Sequence, residues 1–497
     1  MNSYGRFFVE FLTPFFEGFI QIFKSLFEGI LEMFNIIKYL DTIDKFKNSV
    51  NIVFIILAVI VLILLVCLFG FLIFVIVKKL TRVIRKSHEQ DSLLEEVEKL
   101  NYDMIKLKQE NDKLMTIAEG GGALDEDGNP KDKIKEGESR FFKLSALDAK
   151  YRDVVDETVY NDNITLKELC DDFRNFSASQ LGLFYTPELI RLFISAFGAT
   201  RLLILQGISG TGKTSLAYAF GQYMDNPSVI ASVQPSWRDR TELFGYFNEF
   251  TKRFNETELL AKMYEATFSK KVYITILDEM NIARVEYYFA EMLSIMEMPS
   301  KSQWIINLVA SPWETDPDKV VGGNFTLPGN MWYIGTINND DSTFAVTDKV
   351  YDRAMPIDIN EKCAKFEAPK TEKGKITAEH FEELFIKAKE EFPLTQEMRE
   401  KLEEADQYVI EHFRISFGNR IMRQIEDFTP SYVAAGGKEV DAIDYLLASK
   451  ILRKFEQLNL AFIKNELDEF VNYLNVNFGK ENMKLCKEFI MRLKKSI

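Results

Sequence analysis

Cysteine and histidine are scarce in this chain of 497 residues, which contains four cysteines and three histidines. The cysteines lie far apart and form neither a CxxC motif nor a cluster with histidine; they are Cys67, Cys170, Cys363 and Cys486. This scarcity argues against a zinc site and against a disulfide framework. We therefore expect most of the chain to lie in a reducing compartment.

An excess of positive charge is also missing, because the formal net charge is −14. A broad surface for non-specific binding of duplex nucleic acid needs clustered positive charge. The composition argues against such a surface but is compatible with a local basic pore. Direct binding of nucleic acid therefore stays open.

One long apolar run departs from the otherwise ordinary globular composition. Residues 52–77 carry no charge, and about 20 apolar residues suffice to cross a bilayer as a helix. A buried core helix is the alternative, but such helices rarely stay apolar on every face over this length. The run begins too late and is too long for a cleavable signal peptide. We expect a single transmembrane helix over residues 50–77.

The charges that flank this run predict its orientation. Basic residues follow it directly, namely Lys78, Lys79, Arg82, Arg85 and Lys86. Lys45 and Lys47 precede it in the company of acidic residues. The positive-inside rule then places the C-terminal side in the cytoplasm, where nucleotide is available.

Residues 1–49 predict an amphipathic, membrane-associated helix. Apolar residues, many of them phenylalanine, recur at helical spacing, and a narrow polar stripe runs down the opposite side. Such a helix lies in the membrane interface or packs within the membrane part of an assembly. A hairpin partner of the transmembrane helix, with no role beyond anchoring, is the alternative.

Residues 78–119 combine the basic flank with a heptad pattern. Leucines recur every seven residues, at Leu93, Leu100, Leu107 and Leu114. With Asn111 at an alternate core position, this pattern favours a parallel two-stranded coiled coil, and a lone stalk helix is the alternative. Residues 120–140 lack periodicity and carry glycine, proline and charge, which predicts a flexible linker.

The most specific pattern in the chain is a strand, a loop and a helix. Residues 201–206 predict a strand, residues 215–220 predict a helix, and GISGTGKT between them matches the phosphate-binding loop G-x-x-x-x-G-K-[ST]. The glycines let backbone N–H groups and the helix N-terminus face an anion closely. Lys213 is expected to reach the β- and γ-phosphates, and Thr214 to bind Mg²⁺. The expected nucleotide-binding residues are Gly207, Ile208, Ser209, Gly210, Thr211, Gly212, Lys213, Thr214 and Ser215.

A second strand pattern, KVYITILDEMN, supplies the acids that this chemistry requires. Asp278 is expected to hold Mg²⁺, through water, beside Thr214. Glu279 is expected to orient and activate the attacking water. Either acid alone is compatible with a surface residue at a strand end, but two acids that end an apolar strand after such a loop are hard to explain that way.

Three further residues are candidates for the site, two for catalysis and one for nucleotide binding. The strand MWYIGTIN ends in Asn338, a polar residue that can position the attacking water. Arg353 stands where ring-forming NTPases supply an arginine to the γ-phosphate of a neighbouring subunit; an ordinary surface ion pair is the alternative. Arg420 is expected to lie in a helical lid and to contact the γ-phosphate of the nucleotide that its own chain binds. Arg423 and Arg414 are the alternatives for this role.

These motifs resemble the AAA+ superfamily of P-loop NTPases. Within it, LDEMNIARVEYYFAEMLSIME and IGTINNDDST are similar to the dynein-related branch, which contains the MoxR chaperones and the McrB-type restriction motors. The resemblance covers roughly residues 140–430. The Met-Asn-x-x-Asp pattern of McrB-type motors has its counterpart in residues 337–341, with Ile337 in place of Met and Ser342 where Arg usually follows.

The resemblance implies an α/β AAA+ P-loop core, in which a parallel five-stranded sheet lies between helices, with a helical lid and assembly into a hexameric ring. The core is expected over residues 201–362, after a helical lead-in over 141–200. Residues 363–497 are expected to form the lid and a C-terminal helical extension. Their clearest predicted helices are LEEADQYVIEHF and DAIDYLLASKILRKFEQL.

The implied activity is hydrolysis of ATP, or of GTP, with Mg²⁺, to remodel or translocate a partner protein or nucleic acid. Similarity to McrB-type motors implies bacterial anti-phage defence with a separately encoded effector such as a nuclease. Together with the predicted transmembrane helix, this leads us to expect a single-pass protein of the bacterial cell membrane with its NTPase domain in the cytoplasm. A nucleotide-dependent oligomeric switch, or scaffold, that gates the membrane segment is the alternative. A purely structural tether is a third interpretation, against which the intact Lys213, Thr214, Asp278 and Glu279 argue.

Overall fold

A computed structural model of the chain describes residues 35–46, 137–208, 210–338, 343–360, 362–460 and 462–495, together with positions 24, 25, 28 and 134. The chain divides into two compact units, Met1–Met115 and Thr116–Ile497. In the first unit the described residues include helix α1, Ile36–Phe46, which falls within the predicted amphipathic segment. All other helices and strands given below belong to the second unit.

The predicted transmembrane helix over residues 50–77 and the predicted coiled coil over 78–119 lie outside the described residues. The same holds for most of the predicted linker over 120–140. In the part of the chain that the structure does describe, no helix is both long and apolar enough to span a bilayer.

A parallel sheet of five strands forms the centre of the second unit. Its strands are β1 (Leu202–Gln206), β2 (Val229–Ser232), β5 (Tyr273–Asp278), β9 (Met331–Ile337) and β10 (Met355–Asp358). They lie in the order β10-β1-β9-β5-β2. Because all five strands are parallel, their carboxyl ends meet at one edge of the sheet. The polar residues at the ends of β1 and β5, and the one that follows β9, are therefore brought to that same edge.

Alternate residues of the three central strands, β1, β9 and β5, enter two different hydrophobic cores. Leu203 and Leu205 point to one core, whereas Leu202 and Ile204 point to the other. A strand presents successive side chains to opposite faces, so a strand covered on both faces is apolar throughout. This explains why β1 reads LLIL in sequence, and it agrees with the fold class that the sequence predicts for the core.

Helices cover both faces of the sheet. The predicted lead-in contains α2 (Phe142–Tyr151), α3 (Leu166–Leu181) and α4 (Pro187–Ala199). The side chains of Thr165 and Glu168 form a reciprocal capping box at the start of α3. Helices α3 and α4 share a core with α5 (Lys213–Tyr223), while α2 lies in the core on the opposite face.

Two antiparallel sheets, absent from the sequence-based expectation, interrupt the α/β core. A hairpin joins β3 (Gly245–Asn248) to β4 (Arg253–Glu256), and a three-stranded sheet joins β6 (Ile305–Asn307), β7 (Val320–Val321) and β8 (Asn324–Thr326) in the order β6-β8-β7. The shorter helices of the core are α6 (Thr241–Phe244), α7 (Glu258–Ala266), α8 (Val285–Tyr288), α9 (Ala290–Ile295) and α10 (Asp348–Tyr351), with 3₁₀ turns at Met280–Ile282 and Lys301–Gln303.

The C-terminal region is helical, and its helices are α11 (Ala378–Glu391), α12 (Gln396–Phe413), α13 (Gly418–Ala434), α14 (Glu439–Leu446), α15 (Lys464–Asn477) and α16 (Lys484–Lys495). One stretch differs from the continuous helix that its sequence predicts. After α14 the chain forms a π-helical turn, Leu447–Ile451, and then a 3₁₀ helix, Leu452–Gln457. The buried amine of Lys450 in the π turn bonds to backbone carbonyls of another segment, a tertiary contact that helical periodicity does not report.

Candidate nucleotide-binding site

The loop between β1 and α5 folds back on itself through glycines with positive φ. The φ angles are 135° at Gly207, 77° at Gly210 and 93° at Gly212. A Cβ at Gly207 would lie 2.4 Å from the carbonyl oxygen of Ile359, so only glycine fits there. No side chain caps the N-terminus of α5, which leaves its first N–H groups to bind an anion.

The amine of Lys213 lies inside the curve of this loop. It donates hydrogen bonds to the carbonyl oxygens of Gly207 and Ile208, both at 3.0 Å, and its side chain is buried. The loop is closed further by Thr211, whose hydroxyl donates to the carbonyl of Ile208 at 2.8 Å. A positive charge is thus held where the backbone of the loop can surround phosphate. Ser209 lies outside the described residues.

Thr214 and Asp278 place two oxygen atoms side by side. The Thr214 hydroxyl donates to Oδ1 of Asp278 at 2.8 Å. Mg²⁺ prefers oxygen ligands and keeps several waters, so a hydroxyl and a carboxylate beside a phosphate-binding loop fit this ion. The structure thus brings together the two residues that the sequence proposes for Mg²⁺.

Thr336, which the sequence-based argument does not single out, joins the two acids. Its hydroxyl donates to Oδ1 of Asp278 at 2.8 Å and accepts from the backbone N–H of Glu279 at 2.9 Å. Strand β9 lies between β1 and β5 in the sheet, so a side chain near its end can reach both acids. The signal in the sequence is a threonine within the otherwise apolar strand MWYIGTI, and the structure buries this side chain.

Glu279 has a strained backbone, with φ of 52°. A non-glycine residue in this region costs on the order of 1 kcal/mol and persists when its surroundings hold it. The hydrogen bond to Thr336 provides such a restraint. Asn338 then donates from Nδ2 to Oε1 of Glu279 at 3.3 Å, so the structure brings these two predicted residues into contact.

Asn281 is a second residue that the sequence-based argument does not single out. Its Nδ2 atom donates to the carbonyls of Asn338, at 2.9 Å, and of Phe344, at 3.3 Å. The N–H of Phe344 in turn donates to the carbonyl of Asn281 at 2.8 Å. This pairing fixes the chain just after β9 against the chain just after β5. Its sequence signal is an amide two positions after Glu279, and the structure buries this side chain.

Arg353 and Arg420 both contact the carboxylate of Glu297. Nε of Arg353 lies 3.0 Å from Oε2 of Glu297, and Nη2 of Arg420 lies 3.0 Å from the same oxygen. The sequence assigns Arg353 to a neighbouring subunit and Arg420 to its own chain. The structure places both guanidinium groups beside the carboxylate of Glu297, which was not predicted. Glu297, Arg353 and Arg420 lie far apart in the sequence, so no local sequence pattern indicates that they are in contact.

Tyr351 links α10, and so the segment of Arg353, to the end of β1. Its hydroxyl donates to Oε1 of Gln206 at 2.6 Å. Burial raises the pKa of Tyr351 to about 12, so the hydroxyl keeps its proton at neutral pH and remains a donor. This contact joins the arginine segment to the strand that leads directly into the phosphate-binding loop.

Comparisons with known proteins yield one curated relative. The chain is 26% identical over 185 residues to the type IV methyl-directed restriction enzyme EcoKMcrB subunit of Escherichia coli K12. The match covers 33% of this chain and 36% of that subunit, so the chain spans about a third of the relative it matches. No protein-family model matches the chain.

Among solved structures, a full-length MCM homolog from Methanopyrus kandleri is similar to the chain with a TM-score of 0.31 and 13% identity, over 56% of this chain and 58% of that one. A TM-score of this size does not establish a common fold. The parallel sheet flanked by helices fits an α/β P-loop core.

Proposed function

We propose that this chain hydrolyses ATP within a ring of its own copies. The observation that carries the proposal is the hydroxyl of Thr336, which bonds at once to Asp278 and to the backbone of Glu279. This single hydroxyl links the Asp278 carboxylate, which is suited to Mg²⁺, to the backbone N–H of Glu279, the residue whose carboxylate is suited to orient water. Both lie at the carboxyl edge of the sheet, and Asp278 is bonded to the first turn of α5.

Each residue of the site has a distinct role in this proposal. Lys213 and the N-terminus of α5 bind the phosphates. Thr214 and Asp278 hold Mg²⁺, which supplies charge neutralisation to the phosphates. Glu279 orients the attacking water and accepts its proton, and the amide of Asn338 holds the Glu279 carboxylate in place.

Arg353 completes the site of a neighbouring subunit in this proposal, and Arg420 is available at the same location. The hexameric ring is inferred from the sequence resemblance. An arginine that a neighbouring subunit supplies stabilises the charge of the transition state, and in comparable NTPases it raises kcat by about 10³- to 10⁵-fold. The shared contact of Arg353 and Arg420 with Glu297 supports joint use of the two arginines. Hydrolysis in such a ring depends on assembly.

The work of the ring is, in this proposal, remodelling or translocation of a partner protein or nucleic acid. The matched relative is named as a subunit of a restriction enzyme, which supports a role in anti-phage defence with a separately encoded effector such as a nuclease. Stimulation of hydrolysis by DNA, RNA or an unfolded protein, each added to the purified chain, identifies the class of client. Competition of GTP with ATP measures the nucleotide preference.

We also propose that residues 50–77 anchor the ring in a bacterial cell membrane, with the NTPase on the cytoplasmic side. The support is the uncharged run and the basic residues that follow it. Retention of the chain in the membrane pellet at alkaline pH, and its release by detergent, is the expected result. Release at alkaline pH without detergent contradicts the anchor.

A Glu279→Gln variant tests the hydrolysis directly. We expect it to bind ATP with unchanged affinity and to hydrolyse it at least about 100-fold more slowly, because the amide cannot accept a proton from water. Glu286→Gln, on helix α8, is the matched control and should hydrolyse at the normal rate. A Glu279→Gln protein that is as active as the unmodified chain contradicts the proposed function.

A further inference from the structure

The segment that carries Arg353 is held by side chains from the C-terminal helical region. Nζ of Lys450 donates to the carbonyl oxygen of Tyr351 at 2.8 Å and also to that of Ala354. Nε2 of Gln424 donates to the carbonyl of Asp352 at 2.9 Å. Backbone carbonyls on both sides of Arg353 are therefore fixed from outside the α/β core.

Lys450 is almost completely buried, with 2% of its surface exposed. Burial of a lysine disfavours its charged form, and this desolvation lowers the pKa of Lys450 to about 7, against the attraction of Asp352. The neutral amine still has two hydrogens, which match the two carbonyls it meets. A buried lysine whose donors both go to one short backbone segment acts as a clamp on that segment.

The local fold of the C-terminal region presents Lys450 for this contact. Lys450 lies in the π-helical turn Leu447–Ile451, between α14 and a 3₁₀ helix. Turns of this type are rare and occur frequently at functional sites. The change of helix type thus coincides with the residue that reaches across to the Arg353 segment.

Side chains of the C-terminal helical region also contact the side chains of the segment that carries Arg353. Cζ of Arg453 lies 3.5 Å from the centre of the Tyr351 ring, and Nζ of Lys454 lies 3.0 Å from Oδ1 of Asp352. Arg453 also pairs with Asp348 at the start of α10. The backbone and the side chains around Arg353 are therefore both bound by one short stretch of the C-terminal region.

We infer that Lys450 is a positioning residue for Arg353: it fixes the backbone on both sides of that arginine, so that the guanidinium enters the site of the neighbouring subunit in a defined geometry. This inference rests on the proposed function. Lys450 acts through the backbone carbonyls of Tyr351 and Ala354, to which its amine donates. A displacement of about 1 Å in a reacting group costs up to 10²-fold in rate, so loss of the clamp lowers kcat and leaves nucleotide binding by the same subunit intact.

The test uses full-length chains mixed in pairs, because each catalytic site takes residues from two subunits. Lys450→Met alone is expected to lower kcat roughly 10- to 100-fold. Mixing it with equal amounts of Glu279→Gln chains is expected to restore hydrolysis, since Lys450→Met supplies an intact site and Glu279→Gln supplies an intact Arg353. In a random mixture, roughly one quarter of the interfaces between neighbouring subunits pair the intact site of a Lys450→Met chain with Arg353 of a Glu279→Gln chain. Mixing Lys450→Met with Arg353→Ala is expected to restore nothing.

Two further variants control the test. Lys487 also donates from Nζ to a backbone carbonyl, that of Lys480, but far from Arg353 in sequence; Lys487→Met is expected to keep the normal rate. Gln424→Met removes only the bond to Asp352 and is expected to give a smaller loss, restored by the same mixing. It serves as the test variant should Lys450→Met fail to fold.

Each outcome decides the inference. Normal hydrolysis by Lys450→Met overturns it, and so does a deficient but nucleotide-binding Lys450→Met that Glu279→Gln chains cannot restore. Arg353→Ala mixed with Glu279→Gln tests the proposed function separately. Restoration in this second mixture, without restoration in the first, overturns the role of Lys450 and leaves the arginine between subunits standing; failure of both mixtures overturns that arginine as well.

Discussion

The hydroxyl of Thr214 donates to Oδ1 of Asp278 at 2.8 Å, although 64 positions separate the two residues in the chain. Thr214 lies in α5, which follows β1, and Asp278 ends β5; these two strands are not neighbours in the sheet, because β9 lies between them. The contact therefore arises only because parallel strands end at one edge. It brings together a hydroxyl and a carboxylate oxygen, a donor set suited to Mg²⁺.

Replacing Asp278 with Asn is expected to raise the Mg²⁺ concentration needed for half-maximal hydrolysis by about 10- to 100-fold, because a neutral amide holds the water bound to Mg²⁺ less strongly than a carboxylate does. A titration of ATPase activity with Mg²⁺ measures this. Asp468→Asn, at an exposed ion pair with Lys494, serves as the control. An unchanged Mg²⁺ dependence in Asp278→Asn contradicts the assignment of the metal ligand.

Replacing Thr336 with Val is expected to lower kcat about tenfold with little change in KM, because the hydroxyl that orients Asp278 and Glu279 is lost while the shape is kept. Steady-state kinetics separate the two constants. Thr275 is also buried in the sheet, and its hydroxyl contacts only the sulfur of Met331, at 3.6 Å. Thr275→Val is thus the matched control, and an equal effect of the two substitutions argues against the bridge.

Replacing Gly335 with Ala is expected to lower the free energy of unfolding by about 1–3 kcal/mol, because it overpacks a filled core. A Cβ at Gly335 would lie 1.9 Å from Sδ of the buried Met280. Gly329 offers a comparison, since its nearest neighbour would be the side chain of Lys301, which is exposed and can move. Urea unfolding of both variants should show a clear loss only for Gly335→Ala.

The free energy of unfolding is expected to rise with pH above neutrality because of Lys450. Burial lowers the pKa of Lys450 from 10.5 to about 7 in the folded chain. Between these two values the unfolded chain binds more protons, so raising the pH favours the fold. The charged groups that act on it are Asp352, which raises the pKa, and Arg453, Lys454 and Arg420, which lower it.

Urea unfolding at pH 7, 8 and 9 checks this dependence, with Lys450→Met as the comparison. The variant has no titrating amine at this position and should lose that part of the slope. Identical slopes in the two proteins contradict the lowered pKa of Lys450.

The sequence alone determined the local parts of the candidate site. The loop around Lys213 and the pair Asp278 and Glu279 are short motifs, because the backbone conformation and the acids they need lie within a few consecutive residues. The apolar run over residues 201–206 likewise predicted a strand, and a strand covered on both faces is apolar throughout. These features require no knowledge of which strands are neighbours.

Only the tertiary structure decided the contacts between distant segments. Thr336 reaches Asp278 because β9 lies beside β5, and Lys450 reaches Tyr351 because a π turn faces α10. Glu297 meets Arg353 and Arg420 in the same way. Each of these groups has its partner far along the chain, where neither periodicity nor spacing carries a signal. Their roles follow from strand order and helix packing, which the whole chain determines together.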